Sequence, residues 1–170
     1  MFLRAITLAG GMAGAAGLSQ FPEFSQQYTQ RLAGAVDELT RFVDEFDADA
    51  AAQGFTRAEA LDDLNQGSQM GAARADTMGR TLARYNRLSA DLEALRAAGP
   101  FTRAYNAGSF TDPEIAQAAW SDFKPAMPLT FEGAVFAGVG LLAGLGLIGG
   151  LIALIRMPFR RKAAPMTGRA

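Results

Sequence analysis

The chain has 170 residues, enough for one domain, and a net charge of −1 that gives no overall attraction to nucleic acid. It holds no cysteine and no histidine, which excludes thiol nucleophiles, disulfides, the usual zinc sites and the commonest general base. The near-neutral total conceals a segregation. Ser19 to Thr130 carries 16 acidic and 10 basic residues, whereas the ends carry six bases (Arg4, Arg156, Arg160, Arg161, Lys162, Arg169) and one acid, Glu132.

Residues 5–22 are uncharged, with glycine and alanine dominant. Those residues contribute little to transfer into lipid, so 1–20 reads as a marginal N-terminal transmembrane helix. Arg4, an apolar run and the small residues of AGAAG also fit a secretory signal peptide, but no clean A-x-A site closes the run. Gly10 with Gly14, and Ala13 with Gly17, stand in small-xxx-small spacing, which allows helix backbones to approach closely in lipid. The junction that follows (Gln20, Phe21, Pro22, Glu23, Phe24, Tyr28) reads as an elbow between a lipid-facing and a water-facing helix. Pro22 is expected to keep Phe21 out of the helix. Phe21, Phe24 and Tyr28 are expected at headgroup level, and the elbow is the candidate partner contact.

Residues 21–130 read as a helical extracytoplasmic region. Phe24, Tyr28, Leu32, Val36, Leu39, Val43 and Phe46 recur at spacings of 4 and 3, one stripe of a helix fading in DADAAAQG, where Gly54 is a stop signal. Thr56 and Glu59 have capping-box spacing at the head of a short helix. After a weak turn at NQGSQMG, a second long helix is expected from about Ala72 to Ala98, with Thr81, Tyr85, Leu88, Leu92 and Leu95 on one face. Gly99-Pro100 ends it. Thr111 and Glu114 repeat the capping box before another short helix, and Lys124-Pro125 and Pro128 break the chain. The two long helices pair most simply as an antiparallel hairpin, and their narrow stripes also suit a coiled-coil seam.

Gly133 to Ile155 is 23 uncharged, almost wholly apolar residues, about 35 Å of helix against a hydrocarbon core of about 30 Å. Residues 131–156 therefore read as a C-terminal transmembrane helix, and 157–170 as a basic tail. Gly140 with Gly144, and Gly146 with Gly150, repeat the small-xxx-small spacing. Positive charge marks the cytoplasmic flanks of spans. Arg4 thus places the N-terminus inside, and Arg156, Arg160, Arg161 and Lys162 place the C-terminus inside. The acidic middle is then periplasmic in a bacterial inner membrane. The basic tail, read as an RNA- or lipid-binding patch, is explained more simply by orientation.

Chemical motifs are sparse. GLGLIG, Gly144 to Gly149, matches G-x-G-x-x-G but lies inside the span, without the preceding strand or following acid that dinucleotide binding needs. Asp44, Glu45, Asp47 and Asp49 lack the glycine and terminal glutamate of a calcium loop, and read as a solvated helix end. Asp37-Glu38 and Asp62-Asp63 are adjacent pairs that point apart on a helix. Ser19, Ser25, Ser68, Ser89, Ser109 and Ser121 lie in no nucleophile elbow. No catalytic, cofactor or metal residue is assigned, and no enzymatic activity is expected. Phe101, Tyr105, Phe110, Trp120 and Phe123 gather before the second span, either as packing or as an interfacial aromatic belt.

Three stretches, LSQFPEFSQQYTQRLAGAVDEL, RLSADLEALRAAGPFTRAY and PLTFEGAVF, resemble a family of proteobacterial inner-membrane proteins known as domain of unknown function 2937, most distinctively in Gln20 to Tyr28. The resemblance runs the whole length and implies a two-span helical membrane protein, with no binding or catalytic residue to carry over. The expected architecture is all-α, two transmembrane helices flanking an extracytoplasmic hairpin with short accessory helices. The expected role is a non-enzymatic interaction or accessory module. Its partners would be the lipid bilayer and either further copies of itself or other membrane subunits, with no nucleic acid and no cofactor. The competing reading is a tethered periplasmic domain that binds a lipid or other ligand.

Overall fold

A computed structural model describes residues 1–157 except 126 and 128, and every regular element among these is helical. In chain order they are α1 (Phe2–Ser19), α2 (Phe21–Ala52), α3 (Arg57–Gln66), α4 (Gln69–Ala97), α5 (Pro100–Tyr105), a 3-10 turn (Ala107–Ser109), α6 (Pro113–Ser121) and α7 (Phe131–Arg156). Contacts divide them into two compact units. One joins Met1–Glu23 to the described residues from Pro125 onward, and the other is Phe24–Lys124. The basic residues Arg160, Arg161 and Lys162 lie outside the described residues.

Local chemistry sets the boundaries, in places against expectation. Phe21 is helical. The interruption is one residue earlier, at Gln20, whose φ of −82° and ψ of −12° remain right-handed and whose N–H reaches the Gly17 carbonyl at 3.2 Å. Pro22 falls in the first turn of α2, where its missing N–H would have had no intrahelical partner. α2 also continues past the fading stripe to Ala52. Gly54, at φ +78°, then closes it: its N–H bonds Ala51 O and that of Phe55 bonds Ala50 O, both at 2.9 Å, the paired arrangement of a Schellman cap. The Thr56–Glu59 capping box forms in both directions. α4 starts three residues before Ala72 because the Ser68 hydroxyl accepts from Gly71 N–H at 3.0 Å.

Gly99-Pro100 ends α4 but also opens α5, since proline at a first helical position is preorganised for a new helix. Arg103 of α5 reaches back so that its Nε donates to Leu95 O at 2.9 Å, satisfying a terminal carbonyl of α4. The cap of α6 is Asp112, not Thr111. Its carboxylate accepts from the backbone of Glu114 and Ile115 at 3.1 Å each, whereas the Thr111 hydroxyl donates to Asp91 at 2.6 Å. Aspartate before Pro113 is the better cap, because its charge also favours the helix N-terminus.

In the Phe24–Lys124 unit, α2, α4 and α6 share one core of Tyr28, Leu32, Val36, Leu88, Leu92, Leu95, Ile115 and Ala119. The buried stripe of α4 extends back to Met78 and Ala75, two turns before the periodic residues that announced it. α3 packs on α4, and a side chain at Gly71 would press to within 2.6 Å of Leu64 O. In the other unit, α1 and α7 pack along each other.

Candidate functional site

α1 and α7 approach closely, and glycine makes it possible. A β-carbon on Gly14 would collide with Gly140 O, and one on Gly140 with Gly14 O and, at 3.0 Å, with the β-carbon of Leu18. A β-carbon on Gly144 would strike Gly10 O, and one on Gly10 the side chain of Ile148. Gly11, which sequence spacing did not single out, lies in the same seam, with Leu145 Cδ2 at 2.8 Å from its would-be β-carbon. Gly146, Gly150 and Gly17 have open space instead. Of the four small-xxx-small pairs, the structure therefore brings Gly10–Gly14 and Gly140–Gly144 together and leaves the others outside the contact. The pairing order, Gly10 by Ile148 and Gly14 by Gly140, makes α1 and α7 antiparallel.

The outward faces of this pair stay apolar. Leu142, Leu147, Leu151, Leu154 and Ile155 of α7 are exposed, as are Phe2, Leu8 and Met12 of α1, and only Gly133 and Gly140 of α7 are buried. Polar groups inside α1 turn back on its own backbone, Thr7 Oγ1 to Leu3 O and Ser19 Oγ to Ala16 O, each at 2.9 Å. Arg4 and Arg156 are exposed at the N-terminal end of α1 and the C-terminal end of α7. At the elbow, Phe21 packs on Phe136 with ring centroids 5.3 Å apart, and Ser19 Oγ accepts from Gln20 Nε2 at 3.1 Å.

Phe24 and Tyr28 of the elbow belong to the other unit and are spent on its core. Tyr28 has no exposed surface, so its ring packs inside the unit and is not presented outward. The helical stripe it belongs to turns it inward against Phe110, at 4.6 Å between centroids. Its hydroxyl is buried without a hydrogen bond of good geometry, with Asp112 among its surroundings, and burial above all raises its pKa. Phe24 meets Phe110, Trp120 and Phe123 at 6.5, 6.0 and 5.9 Å, and Trp120 also stacks on Phe123. Most of the tryptophan surface, 70 %, nevertheless stays exposed, as does the ring of Tyr105. The aromatic group expected as either packing or belt thus divides: Phe110 packs, Trp120 and Tyr105 face outward.

Asp112 anchors a charge network that sequence reading passed over, although an aspartate before a helix-opening proline was a usable signal. It is 3 % exposed and receives Arg84 Nε at 3.1 Å, with Arg87 at 3.8 Å; Arg84 also pairs with Glu114 at 3.1 Å. Burial pushes its pKa up, but the Ile115 amide, the Arg84 charge and hydrogen bond and the Glu114 amide outweigh that, leaving it below the usual aspartate range. In the acidic stretch at the end of α2, Asp47 is held low by the hydrogen bond from Arg57, whose Nε lies 2.7 Å away. Ser121 and Lys124 stand in S-x-x-K spacing, yet both are exposed and Ser121 Oγ donates to Ala118 O at 3.0 Å.

These observations define the class: an all-helical protein with two helices long and apolar enough to cross a membrane, one near the N-terminus and one at Phe131–Arg156. Residues 2–161 match the family described as Protein of unknown function (DUF2937), so the chain belongs to that family. No curated protein and no solved structure matches it.

Proposed function

We propose that the protein is a non-enzymatic bacterial inner-membrane protein in which α1 and α7 both span the bilayer with the two termini in the cytoplasm. The Phe24–Lys124 unit is then a periplasmic helical hairpin serving as an interaction or accessory module, through self-association or with other membrane subunits. The observation that carries this reading is the outward face of α7, where Phe131, Val139 and then leucines and an isoleucine from Leu142 to Ile155 are left to the surroundings. Arg4 and the Arg156, Arg160, Arg161, Lys162 cluster supply the orienting charge. The antiparallel course of α2 and α4 is supported by Arg74, early in α4, lying over Phe42, late in α2, at 5.7 Å.

The absence of native cysteine makes the topology directly testable. Single cysteines at Asn65 and at Thr167 are expected to react with a membrane-impermeant maleimide outside and only after lysis, respectively. The opposite pattern sinks the topology. N-terminal sequencing of the mature protein is expected to begin at or near Met1, and a start near Ser19 would leave one span. Purification in mild detergent is expected to bring down further copies or other membrane subunits in stoichiometric amount, whereas a lone monomer carrying a lipid would reject the accessory role.

A further inference from the structure

In the Phe24–Lys124 unit the arginines are systematically paired. Arg31 bonds Asp122, Arg41 Glu38, Arg57 Asp47, Arg80 Asp76, Arg84 Asp112 and Glu114, and Arg87 approaches Asp112, while Arg74 lies over the Phe42 ring. Arg96 and Arg103 are different: among the described residues neither has a carboxylate partner, although the unit carries an excess of acid and Glu93 stands one turn before Arg96. Both line one cleft of about 290 Å³ beside Gln26, Thr29, Gln30 and Ala33, with no acidic residue in the lining. Arg103 is fixed there by its Nε bond to Leu95 O, which leaves its two terminal nitrogens to donate elsewhere.

We propose that this cleft binds an oxyanion, a phosphate- or carboxylate-bearing group held by Arg96 and Arg103, with the Gln26 and Gln30 amides bonding the neutral part of the ligand. Two guanidinium forks suit a dianion, because each presents parallel N–H donors to a pair of oxygens. The absence of a lining carboxylate keeps the cleft positive within an otherwise acidic unit, and the anchored Arg103 leaves only Arg96 to be ordered on binding. The cleft lies wholly within Phe24–Lys124, so its chemistry is independent of the number of spans and of topology.

The test is titration calorimetry on the full chain in a neutral detergent, with inorganic phosphate and succinate as soluble ligands and short-chain phosphatidylglycerol as the lipid headgroup. Saturable binding of at least one is expected, weakening with added salt. It should fall at least tenfold in Arg96→Gln, which breaks no bond of the fold, and stay unchanged in Arg41→Gln, an exposed pair elsewhere on α2. Saturation by phosphate or succinate identifies a soluble ligand; saturation by phosphatidylglycerol alone identifies a headgroup. No saturable binding of any of the three, or equal binding by Arg96→Gln with an unchanged melting temperature, overturns the proposal.

Discussion

At the scale of the residue, the most informative side chains are two that the core has closed over. Tyr28 keeps its ring in the centre of the Phe24–Lys124 unit and buries a hydroxyl with no good hydrogen-bond partner among the described residues. A buried, unpaired hydroxyl costs roughly 1–3 kcal/mol, so Tyr28→Phe should leave stability unchanged or raise it by about 1 kcal/mol. Denaturant unfolding measures this, and a loss above about 1 kcal/mol would reveal a partner for the hydroxyl. Asp112 is the opposite case, a buried charge satisfied from several sides. Its folded pKa lies below that of the unfolded chain, so its contribution is fully present above the ordinary aspartate pKa of about 3.9 and is lost as pH falls through the folded value. Asp112→Asn keeps a side-chain acceptor for the cap but discards the charge facing Arg84. Its melting temperature should sit below that of the wild type at pH 7 and converge with it in acid. A constant gap at every pH would assign the whole effect to the cap.

At the scale of the element, the structure separates glycines that permit contact from glycines that merely occur in an apolar helix. Gly14→Leu and Gly140→Leu drive a side chain into the opposing backbone, which cannot move aside as a side-chain tip can. The cost should exceed the roughly 1–3 kcal/mol of ordinary overpacking. Gly146→Leu and Gly17→Leu meet open space and should be tolerated. Cysteines replacing Thr7 and Ile152, which line one groove, report the pairing: cross-linking in membranes should collapse for the first two variants and persist for the second two. Sequence spacing alone could not make this distinction, because small-xxx-small spacing occurs on both faces of α7 and only packing selects one. The same limit explains Thr111. Its spacing to Glu114 is that of a capping box, but Asp112 is a stronger acceptor one residue closer to the helix. By contrast the Thr56–Glu59 box, the Gly54 stop and the Tyr28–Leu32–Val36 stripe were legible, because nothing nearby competes with them. The pocket of Arg96 and Arg103 was not legible, since it joins residues some 70 positions apart through α2, α4 and α5.

At the scale of the whole molecule, the proposed orientation of the apolar helices rests on charge rather than packing, and the two ends contribute unequally. One base, Arg4, lies in the first turn of α1, whereas Arg156 ends the longer and more apolar α7 and Arg160, Arg161 and Lys162 follow it in sequence. α1, at 18 residues, reaches only about 27 Å, slightly less than a hydrocarbon core of about 30 Å. The C-terminal cluster should therefore dominate topology. Arg4→Gln alone is expected to leave a cysteine at Asn65 outside in every molecule. Replacing Arg156, Arg160, Arg161 and Lys162 together with glutamine should give a mixed population, a sizeable fraction protected from the impermeant maleimide until lysis. Adding Arg4→Gln to that variant should enlarge the protected fraction further, because Arg169 is then the only basic side chain left at the two ends of the chain. If Arg4→Gln alone scrambled the labelling while the fourfold C-terminal replacement did not, the first helix would be directing insertion, and the orienting charge would have to be assigned to the N-terminus instead.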